Sequence, residues 1–351
     1  MSQLALRVAA YAADHKLFAP GDALVVGVSG GADSMALLHA AAALAAGTGW
    51  TLSVGHVHHR WRGRDAERDL GFVADHARRL GLPFHLRRRD APGAARELKL
   101  SPEAAARHVR YAALLEIAEE AGASRIATAH HRDDALESHL IALERRGGLG
   151  SLAGPREERA DGIVRPLLPV GRDALRAFLA ARGIAFRRDA TNGDLSLARN
   201  RVRRRLAAWR GSPAGVERIA ALERDVARLR EERDRVEAAF LANVLPAVRR
   251  TARETEIDAA LLAACPEELL RVALERLAAP YARPGRPPAT GRERERLLAL
   301  VASGMSFRFE AGRRIRFERR RGVLRVRLRE AGPVYHAADI PTTSEMRRSV
   351  S

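Results

Sequence analysis

Six consecutive residues, Ser29-Gly30-Gly31-Ala32-Asp33-Ser34, combine two hydroxyls, two adjacent glycines and one carboxylate. Glycine lets the backbone come close to a ligand. A helix that starts at such a turn offers unpaired N–H groups and the positive end of its dipole, so the turn suits an anion. Asp33 is the unusual member, because a carboxylate repels a phosphate unless a cation lies between them. No lysine follows at the spacing of a Walker loop, and the Gly-x-Gly-x-x-Gly spacing of a dinucleotide turn is absent.

Three further groupings carry chemistry. Asp134 and Glu137 follow His130-His131 and stand three residues apart, on one face of a helix first turn. Acids there also suit the helix dipole, but opposite a phosphate site they would hold magnesium or a substrate ammonium group. Arg107 and Arg110 share a helix face and could clamp a carboxylate bidentately. Arg199-Asn200-Arg201-Val202-Arg203-Arg204-Arg205 puts five arginines in seven residues, a pattern that suits a phosphate-facing surface. His58, His59, His130 and His131 lack the cysteine or Glu-x-x-His companions of a zinc site.

These residues need elements to position them. The run Ala23-Leu24-Val25-Val26-Gly27-Val28 reads as a buried strand, and Met35 to His39 is helical in pattern. Further strands are expected at 51–57, 83–88, 124–129 and 162–167. Helices are expected at 33–46, 65–80, 102–121, 132–146 and 171–182. Ser101 and Pro102 suit the cap and first position of the third of these. The alternation predicts an α/β fold with a parallel sheet covered on both faces. Ligands of such a sheet sit beyond the carboxyl ends of its strands, where 29–34, His56-Val57-His58-His59 and Thr128-Ala129-His130-His131 all fall.

The chain has 351 residues, enough for about two domains. Its net charge is +18, from 61 Lys+Arg against 43 Asp+Glu, and arginine supplies nearly all of the positive side. That imbalance implies a polyanionic partner, nucleic acid first. No apolar run approaches the roughly 20 residues that span a bilayer, and no membrane partner is expected. The apolar stretch Leu4–Ala13 lacks a basic leader, so no signal peptide is expected either. Cys265 is the sole cysteine, which excludes a disulfide framework and any Cys-x-x-Cys site. A cytoplasmic enzyme is expected.

Ser-Gly-Gly-x-Asp-Ser after a strand resembles the loop of the N-type, or PP-loop, ATP pyrophosphatases, whose domain is adenine nucleotide alpha hydrolase-like. Over roughly residues 20–210 the ordered set resembles the tRNA(Ile)-lysidine synthase family. The set comprises 29–34, His56-Val-x-His59, Glu103-x-Ala-x-Arg107-x-x-Arg110-Tyr111 and His130-His131-x-x-Asp134-x-x-Glu137. It continues with Arg165-Pro166-Leu167-Leu168, Asp189-x-Thr191-Asn192 and Arg199-Asn200-Arg201-Val202-Arg203. The chain departs from the family pattern at Ser138 for threonine, and at Arg146 and Ser151 where the family carries glycine.

The resemblance implies that ATP adenylates the C2 oxygen of the wobble cytidine in a CAU-anticodon tRNA(Ile), and that free L-lysine displaces AMP to give lysidine. It implies Ser29, Gly30, Gly31, Ala32, Asp33, Ser34, His56 and His130 at the nucleotide. Asp33, Asp134 and Glu137 would handle magnesium or the lysine amine, with Asp33 and Asp134 as magnesium ligands. Arg110 would take the lysine carboxylate. Arg203 or Arg201 would steady the nucleotide or the transition state. Arg107, Arg145, Arg199, Asn200 and Arg201 would face tRNA, and a homodimer is compatible with the family. Two alternatives are a related thiolase, which normally needs catalytic cysteines, and a basic tRNA-binding protein without catalysis.

The resemblance makes 1–210 the PP-loop ATP pyrophosphatase catalytic domain. Residues 211–331 would form a smaller, mostly helical tRNA-contacting domain. Val216, Ile219, Leu222, Val226, Leu229, Val236 and Phe240 recur at helical steps, Pro280 to Pro288 reads as a linker, and 307–328 alternates as hairpin strands. Residues 332–351 are polar and expected to be disordered. Longer family members carry a further C-terminal domain, for which this chain is expected to be too short.

Overall fold

The computed structural model describes residues 2–60, 64–187, 198–251, 253–282, 288–312 and 314–329. The expected segment Asp189, Thr191 and Asn192, the tail 332–351 and part of the 280–288 linker lie outside them. The described chain forms two compact units. One takes in residues up to Ser138 and Gly154–Ile219. The other takes in His139–Ala153 and residues from Ala220 onward. The boundary expected at 210 lies short of Ile219, and no feature of the sequence marks the 139–153 excursion.

In the first unit the elements are α1 (Gln3–Asp14), β1 (Ala23–Gly27), α2 (Ala32–Thr48), β2 (Thr51–His58), α3 (Arg64–Arg79), β3 (Phe84–Arg88), α4 (Ala91–Glu97), α5 (Pro102–Glu120), β4 (Arg125–Ala127), α6 (Arg132–Glu144, running on into the second unit), then, past α7, β5 (Ile163–Val164), α8 (Arg172–Ala181) and α9 (Ala198–Arg210). All strand pairs are parallel, in the order β3-β2-β1-β4-β5. Alternate residues feed two cores. Leu24, Val26, Val54, Ala127 and Val164 join α1, α2 and α8 on one side, while Val25, Ile126 and Ile163 join Leu114 and Ile117 of α5 on the other. Burial on both sides explains why these strands read as continuous apolar runs. The strand order reverses between β1 and β4, so a crevice opens beyond their carboxyl ends.

Helix starts follow local chemistry. Ser101 accepts the Ala104 N–H at 3.3 Å, with Pro102 in the first turn. Ser2 does the same for Ala5 at 3.1 Å, which opens α1. Helices α1 and α4 were not among the expected elements.

In the second unit the elements are α7 (Leu149–Leu152), α10 (Pro213–Ala239, entering from the first unit), β6 (Arg249–Arg250), β7 (Glu254–Asp258), α11 (Ala259–Ala263), α12 (Glu267–Ala278), α13 (Gly291–Ala302), β8 (Phe307–Ala311), β9 (Ile315–Arg320) and β10 (Val323–Leu328). The hairpin strands expected within 307–328 are present. Pairs with β7 and β6 enlarge them to an antiparallel sheet ordered β6-β7-β10-β9-β8. Ile257, Leu324, Val326, Ile315 and Phe317 turn one face onto Leu270, Leu274 and Leu298 of the helices. The other face carries arginine–glutamate pairs such as Arg316–Glu310 (3.1 Å) and Arg327–Glu318 (3.3 Å).

Candidate active site

The turn after β1 is held by its own serines. Ser34 Oγ donates to the Gly31 carbonyl (2.9 Å), accepts the Ser29 N–H (3.2 Å) and lies 3.2 Å from Ser29 Oγ. Gly30 sits at φ +88° and accepts the Arg187 N–H at 2.9 Å. Gly31 caps α2 with no side-chain hydrogen bond over the first turn. That leaves the helix N-terminus open toward a cleft of about 340 Å³. Ser29, Gly31, Asp33 and Ser34 line this cleft with Thr128, His130 and Asp134 after β4, and with Glu103, Arg107 and Arg110 of α5 and Arg199 of α9. Gly30 and Ala32 shape the turn and do not line it.

The carboxylates meet around His131, which is wholly buried. The Asp133 N–H donates to His131 Nδ1 (3.2 Å), so Nε2 carries the proton. That nitrogen lies 3.3 Å from Asp33 and 3.5 Å from Asp134, close contacts that lack hydrogen-bond angles. Burial alone would raise the Asp33 pKa, but His131, Arg172 and Arg203 outweigh it and hold the carboxyl below its ordinary value. Asp134 also accepts the His131 N–H at 3.0 Å.

Glu137 has a different place. It is fully buried and accepts from Arg199 Nε (2.8 Å), Arg203 Nε (2.8 Å) and Arg172 Nη2 (3.0 Å). A carboxylate so engaged has little left for magnesium or an ammonium group; it holds three guanidinium groups in place. Arg172 has no motif around it and escaped the sequence reading. So did Asp133, which accepts from Arg210 and from the Arg172 N–H (2.7 Å). Burial lowers the Arg199 pKa, but Asp134, Glu137 and Glu103 overcome it and keep the group firmly charged.

Arg107 and Arg110 differ from these. No carboxylate among the described residues lies within ion-pair distance of either. Their guanidinium carbons stand 4.9 Å and 5.6 Å from the centre of the Tyr111 ring, and Arg159 stands at 4.5 Å. Burial disfavours the charge on Arg107 and Arg110, and neighbouring arginines add to that. An incoming anion would favour the charged form of both. His130 donates from Nδ1 to Thr128 Oγ1 (3.2 Å), Thr128 donates onward to the Val164 carbonyl (3.3 Å), and Nε2 faces Arg107 Nη1 at 3.5 Å. Burial, reinforced by Arg165, Arg107, Arg110 and Arg199, pushes His130 well below its ordinary pKa, so it is neutral.

Some expected residues lie elsewhere. His56 is a correction: it is buried, donates from Nδ1 to the Val28 carbonyl (2.8 Å) and is not part of the cleft lining. Strand alternation explains this, because Gly55, Val57 and His59 line the cleft and the even residues point away. Of the histidines at the end of β2, His59 is the one in the cleft lining. On α9, Arg199 and Arg203 turn to Glu137, Asn200 is buried and Arg201 is exposed. Arg145 belongs to the second unit. Asp33 and Asp134 converging on one side of the cleft suit magnesium, which binds through one or two carboxylates plus substrate phosphates. Among the described residues no group of three metal-binding side chains occurs.

A tRNA(Ile)-lysidine synthase from Geobacter sulfurreducens is 41% identical over 217 residues, 61% of this chain and 46% of that protein. One from Chlorobaculum tepidum is 41% identical over 192 residues, 55% of this chain and 58% of that one. The chain spans about half the length of the curated relatives it matches. Among solved structures, the U34-tRNA thiolase NcsA from Methanococcus maripaludis, with its [4Fe-4S] cluster, superposes with a TM-score of 0.55 at 14% identity, over 65% of this chain and 78% of that one; this is a likeness of fold. Residues 3–209, more than half of the chain and the whole of the cleft described above, match the PP-loop domain model, and the chain belongs to the PP-loop domain family.

Proposed function

We propose that this protein ligates free L-lysine to C2 of the wobble cytidine of a CAU-anticodon tRNA(Ile), with ATP as the source of activation. The observation that carries the reading is one cleft holding three things: the Ser29–Ser34 turn, the carboxylates Asp33 and Asp134, and the guanidinium groups of Arg107 and Arg110, which have no carboxylate partner among the described residues. The ~40% identity to lysidine synthases over this region supports it.

Two displacements make up the reaction. The cytidine O2 attacks the α-phosphorus of ATP and pyrophosphate leaves. The lysine Nε then attacks C2 and AMP leaves with that oxygen. The turn and the N-terminus of α2 would hold the departing pyrophosphate, where charge develops. Magnesium would be held by Asp33 and Asp134 and would neutralise phosphate charge. Arg110 would bind the lysine carboxylate as a planar fork. The attacking amine must lose a proton, and a cleft carboxylate would accept it. Glu137 would act through Arg199 and Arg203 as a positioning residue. The net charge of +18 supports an RNA partner. Cys265 donates from Sγ to the Leu261 carbonyl (3.3 Å) among second-unit apolar residues, and no cysteine lines the cleft, which weighs against sulfur transfer.

The test is incubation of the protein with ATP-Mg, labelled lysine and a CAU-anticodon transcript. Label is expected in that transcript and not in one with a different wobble base. Asp134→Asn, which keeps an acceptor for the His131 N–H, should abolish label and AMP release while RNA retention persists. Loss of RNA retention together with activity would refute the separation of chemistry from RNA binding.

A further inference from the structure

Arg187 belongs to none of the motifs found in the sequence, and it is not part of the cleft lining. Its backbone nevertheless pairs with the Ser29–Ser34 turn. The Arg187 N–H donates to the Gly30 carbonyl (2.9 Å), and Arg187 and Gly31 form an isolated parallel bridge. The side chain is held from α3, where Asp69 Oδ1 accepts from Arg187 Nε at 3.0 Å. The preceding Phe186 packs against the larger core of the first unit. Arg187 therefore ties α3 to the turn.

The same elements enclose Gly30. A Cβ built on it would stand 3.4 Å from Val73 Cγ2 and 3.6 Å from both Phe72 Cδ1 and Arg187 Cγ. So α3 and the stem of Arg187 cover the glycine, whose φ of +88° bends the turn. The Gly30–Gly31 peptide is trans and planar, so its carbonyl and its N–H point opposite ways. Arg187 takes the carbonyl. The Gly31 N–H is thereby turned to the far side, and Gly31 is a lining residue of the cleft. With glycine on both sides this peptide has unusual freedom to rotate, so a partner at one end sets the direction of the other.

We propose that the Asp69–Arg187 pair is a positioning clamp on this turn, which aims the Gly31 N–H at the terminal phosphates of ATP; the inference rests on the reading of the turn as the pyrophosphate site. Neither Asp69 nor Arg187 lines the cleft, so both act through Gly30. Arg187 is 41% exposed, and an ion pair with one such partner adds little to stability. The value of the pair is preorganisation. An N–H already aimed where charge develops needs no reorganisation as pyrophosphate departs.

The experiment measures binding of ATP-Mg, pyrophosphate-Mg and AMP to the full chain by calorimetry, for the wild type, Asp69→Ala, Arg187→Leu and the double variant. Arg187→Leu keeps the backbone N–H and removes the guanidinium. Each single variant is expected to bind ATP and pyrophosphate about two- to tenfold more weakly, the value of one hydrogen bond. AMP affinity should hold, and melting temperatures should stay within about 2 °C of the wild type. The double variant should lose no more than the weaker-binding single one, because the two side chains act as a unit. Asp69→Asn, which keeps an acceptor for Arg187 Nε, should recover most of the affinity. In turnover the KM for ATP should rise while the KM for lysine stays constant. Unchanged pyrophosphate affinity in both single variants overturns the clamp alone. So do equal losses for AMP and ATP, or losses that add in the double variant. A loss in Arg187→Leu without one in Asp69→Ala makes the arginine a direct phosphate contact and also overturns it. A wild-type chain that binds neither ATP nor pyrophosphate overturns the reading of the turn as well.

Discussion

At the scale of single residues, the site sorts its arginines by what holds them. Arg172, Arg199 and Arg203 are tied to Glu137, and Arg210 to Asp133, so each is held in place by a buried carboxylate. Arg107 and Arg110 lie against the Tyr111 ring, which attracts a cation without neutralising it. Arg110→Ala should therefore raise the KM for lysine by roughly tenfold to a hundredfold, the value of a charged hydrogen bond, and leave the KM for ATP nearly unchanged. Steady-state kinetics with each substrate varied in turn checks this; equal rises in both constants would contradict it. Glu137→Gln should cost about 3–5 kcal/mol in urea denaturation, because three guanidinium groups then lose their buried counter-charge. His130 gives a pH signature. Its folded pKa is depressed, so below about pH 6.5 the unfolded chain binds a proton that the folded chain refuses. Stability should fall as pH drops through that value, and His130→Asn should flatten part of the fall.

At the scale of elements, the first unit was nearly all legible. The strand β1 and the turn after it were marked by a continuous apolar run and paired glycines, and α5 by its serine cap and proline. What stayed hidden followed from tertiary structure. The orientation of His56 against His59 depends on the strand's register, which two adjacent histidine-rich positions do not reveal. The role of Glu137 depends on Arg172 and α9, which chain spacing does not bring together. In the second unit β6 and β7 are short and bounded by charged residues, so period-two alternation had too few positions to register. Gly55 was equally silent. A Cβ there would stand 2.8 Å from Val25 and 3.0 Å from Leu114, below ordinary contact. Gly55→Ala should destabilise the first unit by about 1–3 kcal/mol, the usual cost of overpacking, which thermal denaturation would register. A neutral effect would mean that β1 and α5 pack more loosely than described.

At the scale of the whole molecule, a chain of net charge +18 has a cleft with two carboxylates and with guanidinium groups that lack a carboxylate partner among the described residues. No helix among the described residues is long and apolar enough to cross a membrane. RNA binding should be steeply salt-dependent, because each phosphate contact releases counterions; a flat salt response in a filter-retention assay would contradict it. The decisive step is the acceptance of lysine by the activated cytidine. The most direct measurement is the mass of the anticodon fragment from a CAU transcript after incubation with the protein, ATP-Mg and lysine. A gain of one lysine less one water is expected, located on the wobble cytidine and absent when Asp134→Asn replaces the wild type. An unchanged fragment, while the wild-type protein still converts ATP to AMP and pyrophosphate, would contradict it.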